Sequence, residues 1–173
     1  LQEDGQWVAI LPDGETQKKI LESYNCTAFA TTSIYEILFF KLWGLTKNFS
    51  DRFLGIVAGT WPPGNDPHSV SQAVRHNGLI NESLLPFSDD LTTPEKYYSP
   101  KPPTPDLIAE GKKFLADYVP GHEWVFTNEL GKGQEIERMK QALQYSPLGV
   151  SVFAWEQTGN LFTIVTLEIF SKL

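Results

Sequence analysis

The sequence predicts an α+β fold in two lobes. Three observations carry this. Helix-spaced apolar residues dominate the first half, short segments rich in β-branched residues dominate the second, and a proline-rich stretch lies between them. The 173 residues are the length of one domain, or of two small lobes sharing an interface, and the 41% apolar content is enough for a core. One domain over 1–173 is therefore expected. A helical lobe would occupy 18–100, a partial β lobe 1–17 and 106–173, and a connector 88–105.

Taken in order, Trp7-Val8-Ala9-Ile10 between polar flanks reads as a short strand, followed by a turn at Pro12-Asp13-Gly14. Gln17 to Tyr24 is polar, a helical turn or a loop. Cys26 to Trp43 is the strongest element: Ala28, Phe29, Ile34, Ile37, Leu38, Leu42 and Trp43 recur at helical spacing. Tyr35, Phe39 and Phe40 fill much of the other side, which predicts a helix buried nearly all round. Asn25 stands as its N-cap and Gly44 as its stop. Ser50 to Val57 reads as a short amphipathic helix capped by Ser50 and Asp51, with Phe53, Leu54 and Val57 inward. Gly59 to Pro67 is a turn-rich loop. His68 to His76 resumes as a helix with Val70, Ala73 and Val74 inward, stopped by Asn77-Gly78, and Leu84-Leu85-Pro86-Phe87 leaves it. The connector has five prolines in its last twelve residues, which makes it the expected lobe boundary. Beyond it, Asp106 to Ala116 is expected as helix and Glu123 to Phe126 as strand. Gln134 to Tyr145 is an amphipathic helix with Ile136, Met139 and Leu143 on one side. Val150 to Trp155 and Leu161 to Ile169 are β-branched-rich strands.

Cys26 is the residue that points to chemistry. It falls on the first turn of the long helix, where unsatisfied N–H groups and the positive end of the helix dipole favour a thiolate, the nucleophilic form. The other reading of a lone cysteine is a small buried hydrophobe.

The segment Asn25-Cys26-Thr27-Ala28-Phe29-Ala30-Thr31 resembles the nucleophile segment of papain-like cysteine peptidases, in which a cysteine opens the central helix. Thr27 stands where that family has tryptophan, and the preceding Cys-Gly-Ser is absent. Later segments resemble the family in the same order. Asn48 to Leu54 is similar to its next short helix, and Gly64-Asn65-Asp66-Pro67-His68-Ser69-Val70 to its Asn-Gly-Gly loop and following helix. Ala73 through Phe87 is similar to the ending of that helix. Met139 to Leu143, then Pro147 to Val152, are similar to the helix and strand ahead of the catalytic histidine. The resemblance covers about residues 5–155.

The resemblance implies a papain-like two-lobe fold and peptide-bond hydrolysis through an acyl-enzyme on Cys26. It implies Gln17, nine residues upstream, as the side-chain donor to the oxyanion beside the Cys26 N–H. It also implies that Gly64, Asn65 and Pro67 pair with an extended peptide and wall a side-chain pocket, with Asn65 able to take positive φ in place of a glycine. A peptide or protein substrate is the partner this calls for, and no cofactor.

The general base is missing. His68, His76 and His122 all fall away from the family's histidine position, and each reads as a surface or packing residue. The expected position lies past Leu173. The chain opens at Leu1 and its one methionine is Met139, so the sequence reads as a fragment, inactive or nearly so as it stands. Two alternatives are a non-catalytic peptide-binding relative, and a Cys–His amidase or acyl transferase acting on cell-wall peptides.

Other classes are set aside by composition. A net charge of −7 argues against nucleic acid. No apolar run reaches the ~18 residues of a membrane span, and Glu36 and Lys41 interrupt the richest one. One cysteine permits no internal disulfide. No signal-peptide pattern opens the chain, so it reads as soluble with its compartment open. One cysteine and three scattered histidines give no metal-ligand spacing, and there is no nucleotide-type phosphate loop. Asn25, Asn48 and Asn81 each head an Asn-x-Ser/Thr triplet.

Overall fold

The computed structural model describes residues 10–125 and 133–150. Within them lie α1 (Cys26–Trp43), α2 (Asp51–Val57), α3 (Pro67–Asn77), a 3-10 turn (Glu82–Leu84), α4 (Pro94–Tyr97), α5 (Pro105–Asp117) and α6 (Glu135–Leu143). α1 packs against α2 and α3, α2 packs against α3, and α3 also packs against α5.

The α+β expectation, with its papain-like β lobe, is corrected by this architecture. Among the described residues the structure is helical, and the only β pairing is three isolated bridges, Lys18 with Glu22, Phe49 with Asn81 and Trp61 with Gly64. Residues 123–125 of the expected Glu123–Phe126 strand are irregular, and Val150 is not in a strand. The expected strands at 7–10, 150–155 and 161–169 lie almost wholly outside the described residues. β-branched content reports suitability for a pleated surface, and a strand forms only where a neighbour takes up its N–H and C=O groups. Trp124 has no such neighbour among the described residues: it is 62% exposed and stacks on His68.

The starts of α3, α4 and α5 share one pattern. Asp66, Thr93 and Thr104 each accept a hydrogen bond from a first-turn N–H, and each precedes a proline at the first helical position. Proline loses nothing there, because that N–H has no intrahelical acceptor. Ser50 caps α2 in the same way, its Oγ accepting from Phe53 N at 3.0 Å.

α1 has the span its spacing predicts, but not the apolar surround. Its buried side carries Ala28, Thr31, Thr32, Glu36, Ile37 and Phe39, while Phe40, Leu42 and Trp43 are exposed. The polar residues inside tie α1 to the entrance of α2. Thr32 Oγ1 contacts Asp51 Oδ1, and Glu36 Oε1 accepts from Phe49 N at 2.8 Å. α2, read from sequence as amphipathic, is buried on every side from Asp51 to Ile56. Leu54 joins one apolar cluster with Ala28, Phe39, Phe49, Val70, Val74 and Phe114. Phe53 and Ile56 join a second with Ile80, Leu85, Phe87, Leu91, Tyr97 and Tyr98.

Two glycines let α5 approach α3. Gly78, at φ +73°, and Gly111 pack backbone to backbone, so a Cβ on either would collide with a carbonyl of the other segment. The stretch 88–105 contains α4 and is held by Arg52. Its guanidinium donates to the carbonyls of Tyr97 (2.6 Å), Lys96 (3.0 Å), Ser99 (2.6 Å) and Pro86 (3.1 Å). Among the described residues no helix is long and apolar enough to cross a membrane.

Candidate functional site

Cys26 is the first residue of α1 and is exposed, so it is not a buried hydrophobe. The first turn holds no acidic residue. Ala28 N and Phe29 N donate back to the Asn25 carbonyl at 2.9 and 3.2 Å, leaving the two preceding N–H groups outside the helical ladder. Among the described residues the sulfur's hydrogen-bond partner is Thr27 Oγ1, at 3.9 Å.

What fixes the cysteine is the residue before it. Asn25 holds the N-cap position, yet its side chain makes no capping bond. Its Nδ2 instead donates to Asp51 O at 2.8 Å and to Tyr97 Oη at 2.9 Å, anchoring the start of α1 to α2 and α4. The amide lies against Gly55, where a Cβ would come within 2.5 Å of Asn25 Oδ1. Tyr24 turns the chain into the helix at φ +56°, the one positive φ outside glycine among the described residues.

Gln17 is carried towards the cysteine segment by a tight loop. Ser23 N donates to Gln17 O at 3.2 Å, and Lys18 bridges with Glu22, so the nine-residue spacing folds back on itself three residues before Cys26. Gln17 Oε1 is enclosed and has no hydrogen-bond partner among the described residues.

Gly64 and Asn65 come to the first turn of α1. Thr27 Oγ1 donates to Asn65 O at 3.0 Å, and the Gly64 backbone, at φ +139°, faces Tyr24 O. Asn65, though able to take positive φ, does not; Gly64 does. Asn65 is instead a staple. Its Nδ2 donates to Ala58 O at 2.9 Å and to Thr60 Oγ1 at 3.2 Å, and its Oδ1 accepts from Asp66 N. Pro67 stands apart as the exposed opening residue of α3.

Two residues that sequence reasoning missed complete the surroundings. Tyr98 is 2% exposed and donates to Ser23 O at 2.7 Å. Burial pushes its phenol up, and the nearby charges of Cys26 and Glu22 push the same way. Trp61, 43% exposed, lies on the Tyr98 ring at 5.7 Å, with Lys101 Nζ 5.9 Å from its ring centre. The Trp61–Gly64 bridge joins this aromatic pair to the glycine loop. The one available signal was a tryptophan between the turn residues of 59–67.

All three histidines are described, and none is hydrogen-bonded to the sulfur. His76 is exposed on the last turn of α3. His68 and His122 face each other, with His122 Nε2 3.0 Å from His68 Nδ1. Burial first, then the charges of His68 and Arg75, hold His122 below the usual imidazole value. Among the described residues no three His, Cys, Asp or Glu side chains are grouped to hold a metal ion. Compared with protein-family models, with curated proteins and with solved structures, the chain matches none.

Proposed function

We propose that the protein acts on peptide bonds through Cys26 as a thiol nucleophile. The observation that carries this reading is an exposed cysteine opening an anchored 18-residue helix, with the Gly64–Asn65 loop bonded to the next residue. In the proposed reaction the thiolate sulfur bonds to the substrate carbonyl carbon. The C–N bond then breaks, the amine leaves with a proton, and water cleaves the thioester to release the acid and restore the thiol. Gln17, whose loop returns to Ser23, is proposed as the side-chain donor to the oxyanion. Gly64 and Asn65 are proposed to line the path of an extended peptide. The ordered resemblance to papain-like cysteine peptidases supports the same chemistry.

General-base help is worth about 10²- to 10⁴-fold, and no histidine of this chain hydrogen-bonds Cys26. The 173-residue chain is therefore expected to acylate and then turn over slowly. A peptide p-nitrophenyl ester tests this. The folded chain should release about one equivalent of p-nitrophenol, faster than the urea-unfolded chain, with the acyl group found on Cys26 by mass spectrometry. Added imidazole should speed turnover. An equal burst from Cys26→Ala, or no gain over the unfolded chain, overturns the reading. Peptide capture that survives Cys26→Ala without any acylation of the parent chain would favour the non-catalytic peptide-binding alternative, which the missing hydrogen-bonded base supports.

A further inference from the structure

The fold brings together two histidines that are 54 residues apart in sequence and give no ligand pattern there. His68 sits on the first turn of α3, and His122 on the segment after α5. Their facing nitrogens, His68 Nδ1 and His122 Nε2, are 3.0 Å apart. We propose that this pair is a two-point chelate for a divalent transition metal of tetragonal or octahedral preference, Cu²⁺ or Ni²⁺.

The separation, already short because the rings share a hydrogen bond, suits that preference. A metal ~2.1 Å from each nitrogen would see the observed pair at about 90°, a cis angle of square-planar or octahedral coordination. A tetrahedral angle would need the nitrogens about 3.4 Å apart. The rings are also held. Trp124 stacks on His68 at 6.1 Å with 15° between planes. The Gln72 side-chain amide, one turn along α3, reaches His68 Nε2 at 3.4 Å. Rotating that amide by 180° presents its oxygen to an Nε2–H, the outer hydrogen bond that fixes a ligating imidazole.

Two neutral rings carry two N–H protons, one of which bridges the pair without metal. Metal binding moves that proton to the outer nitrogen of its own ring, so both facing lone pairs become ligands and no proton is released. The outer nitrogens are then His68 Nε2, beside Gln72, and His122 Nδ1, which is enclosed and unpartnered among the described residues. Among the described residues no third His, Cys, Asp or Glu joins the pair, and solvent would fill the positions left open. The bound ion would tie the segment after α5 to α3.

The test titrates the full chain carrying Cys26→Ser, which removes the competing thiol, with Ni²⁺ or Cu²⁺ by calorimetry and Trp fluorescence. One saturable site is expected. Affinity should fall at least tenfold in His68→Ala and in His122→Ala, and stay unchanged in His76→Ala. His68→Gln and His122→Gln, checked for the parent's metal-free melting temperature, separate ligand loss from misfolding and should lose affinity equally. Absence of a saturable site overturns the proposal, and so does a site that survives both folded glutamine variants. Neither result bears on acylation at Cys26.

Discussion

Thr32 has a single hydroxyl proton, yet its oxygen lies within hydrogen-bonding distance of three acceptors: the carbonyls of Ala28 and Phe29 at 3.0 Å and the carboxyl of Asp51. That proton goes to the Asp51 carboxyl, which accepts it across the α1–α2 contact. Burial pushes the Asp51 carboxyl up, and its hydrogen bond with Glu15 pushes further. Glu36, one turn along α1, is pushed up to about 7, mainly by burial and against the Phe49 N–H that favours its anion. Neither has an ion-pair partner among the described residues. A carboxyl raised on folding holds its proton more tightly in the native state. Its contribution is complete below the unfolded value near 4.5 and is lost as pH climbs to the folded value. Thermal stability should therefore fall from pH 4.5 to 7, at no more than about 1.4 kcal/mol per pH unit for each group. In Glu36→Gln that decline should flatten, because the amide oxygen still accepts from Phe49 while carrying no charge. Melting curves at four pH values decide it, and a parallel decline in the variant would exclude Glu36 as a source. The cysteine's place at a helix start was legible from spacing, whereas its exposure was not. The carboxyl network was not, since Glu36 and Asp51 look like ordinary surface residues until α1 and α2 are packed.

Helices were legible where apolar spacing was long. α1 has its predicted bounds, and α5 differs from its predicted span by one residue at each end. α4 was hidden because proline reads as a breaker, whereas Thr93 ahead of Pro94 makes it a start. Nor could sequence show what fixes this four-residue helix. Arg52 does so from α2, with planar N–H groups spread over four carbonyls and no carboxylate among them. Lysine has the charge but not the fork. Arg52→Lys should leave two or more buried carbonyls unpaired and cost about 2–4 kcal/mol in urea unfolding. The amides of 94–99 should gain hydrogen exchange more than those of α3. Uniform exchange across both helices would show that Arg52 acts on global stability alone.

At the scale of the whole molecule, α2 is the shared wall of both apolar clusters, giving Leu54 to one and Phe53 to the other. Phe53→Ala should cost about 3–5 kcal/mol. Because both clusters rest on one short helix, far-UV and near-UV signals should still melt together; separated transitions would mean that the clusters unfold independently. The α+β expectation failed at this scale for a physical reason. Helical periodicity is a property of one segment, whereas a strand is defined by its neighbour, and 123–125 found a histidine ring on α3 instead of a strand. The resemblance implied only that the Gly64–Pro67 loop would meet a substrate; its contact with Thr27, like Trp61 and Tyr98, became visible only once the chain was folded. The exposure of the chain's one sulfhydryl has a practical consequence. A maleimide-linked nitroxide would settle at a single address with no engineering, and its line shape would report directly whether the loop bearing Trp61 closes over a bound peptide.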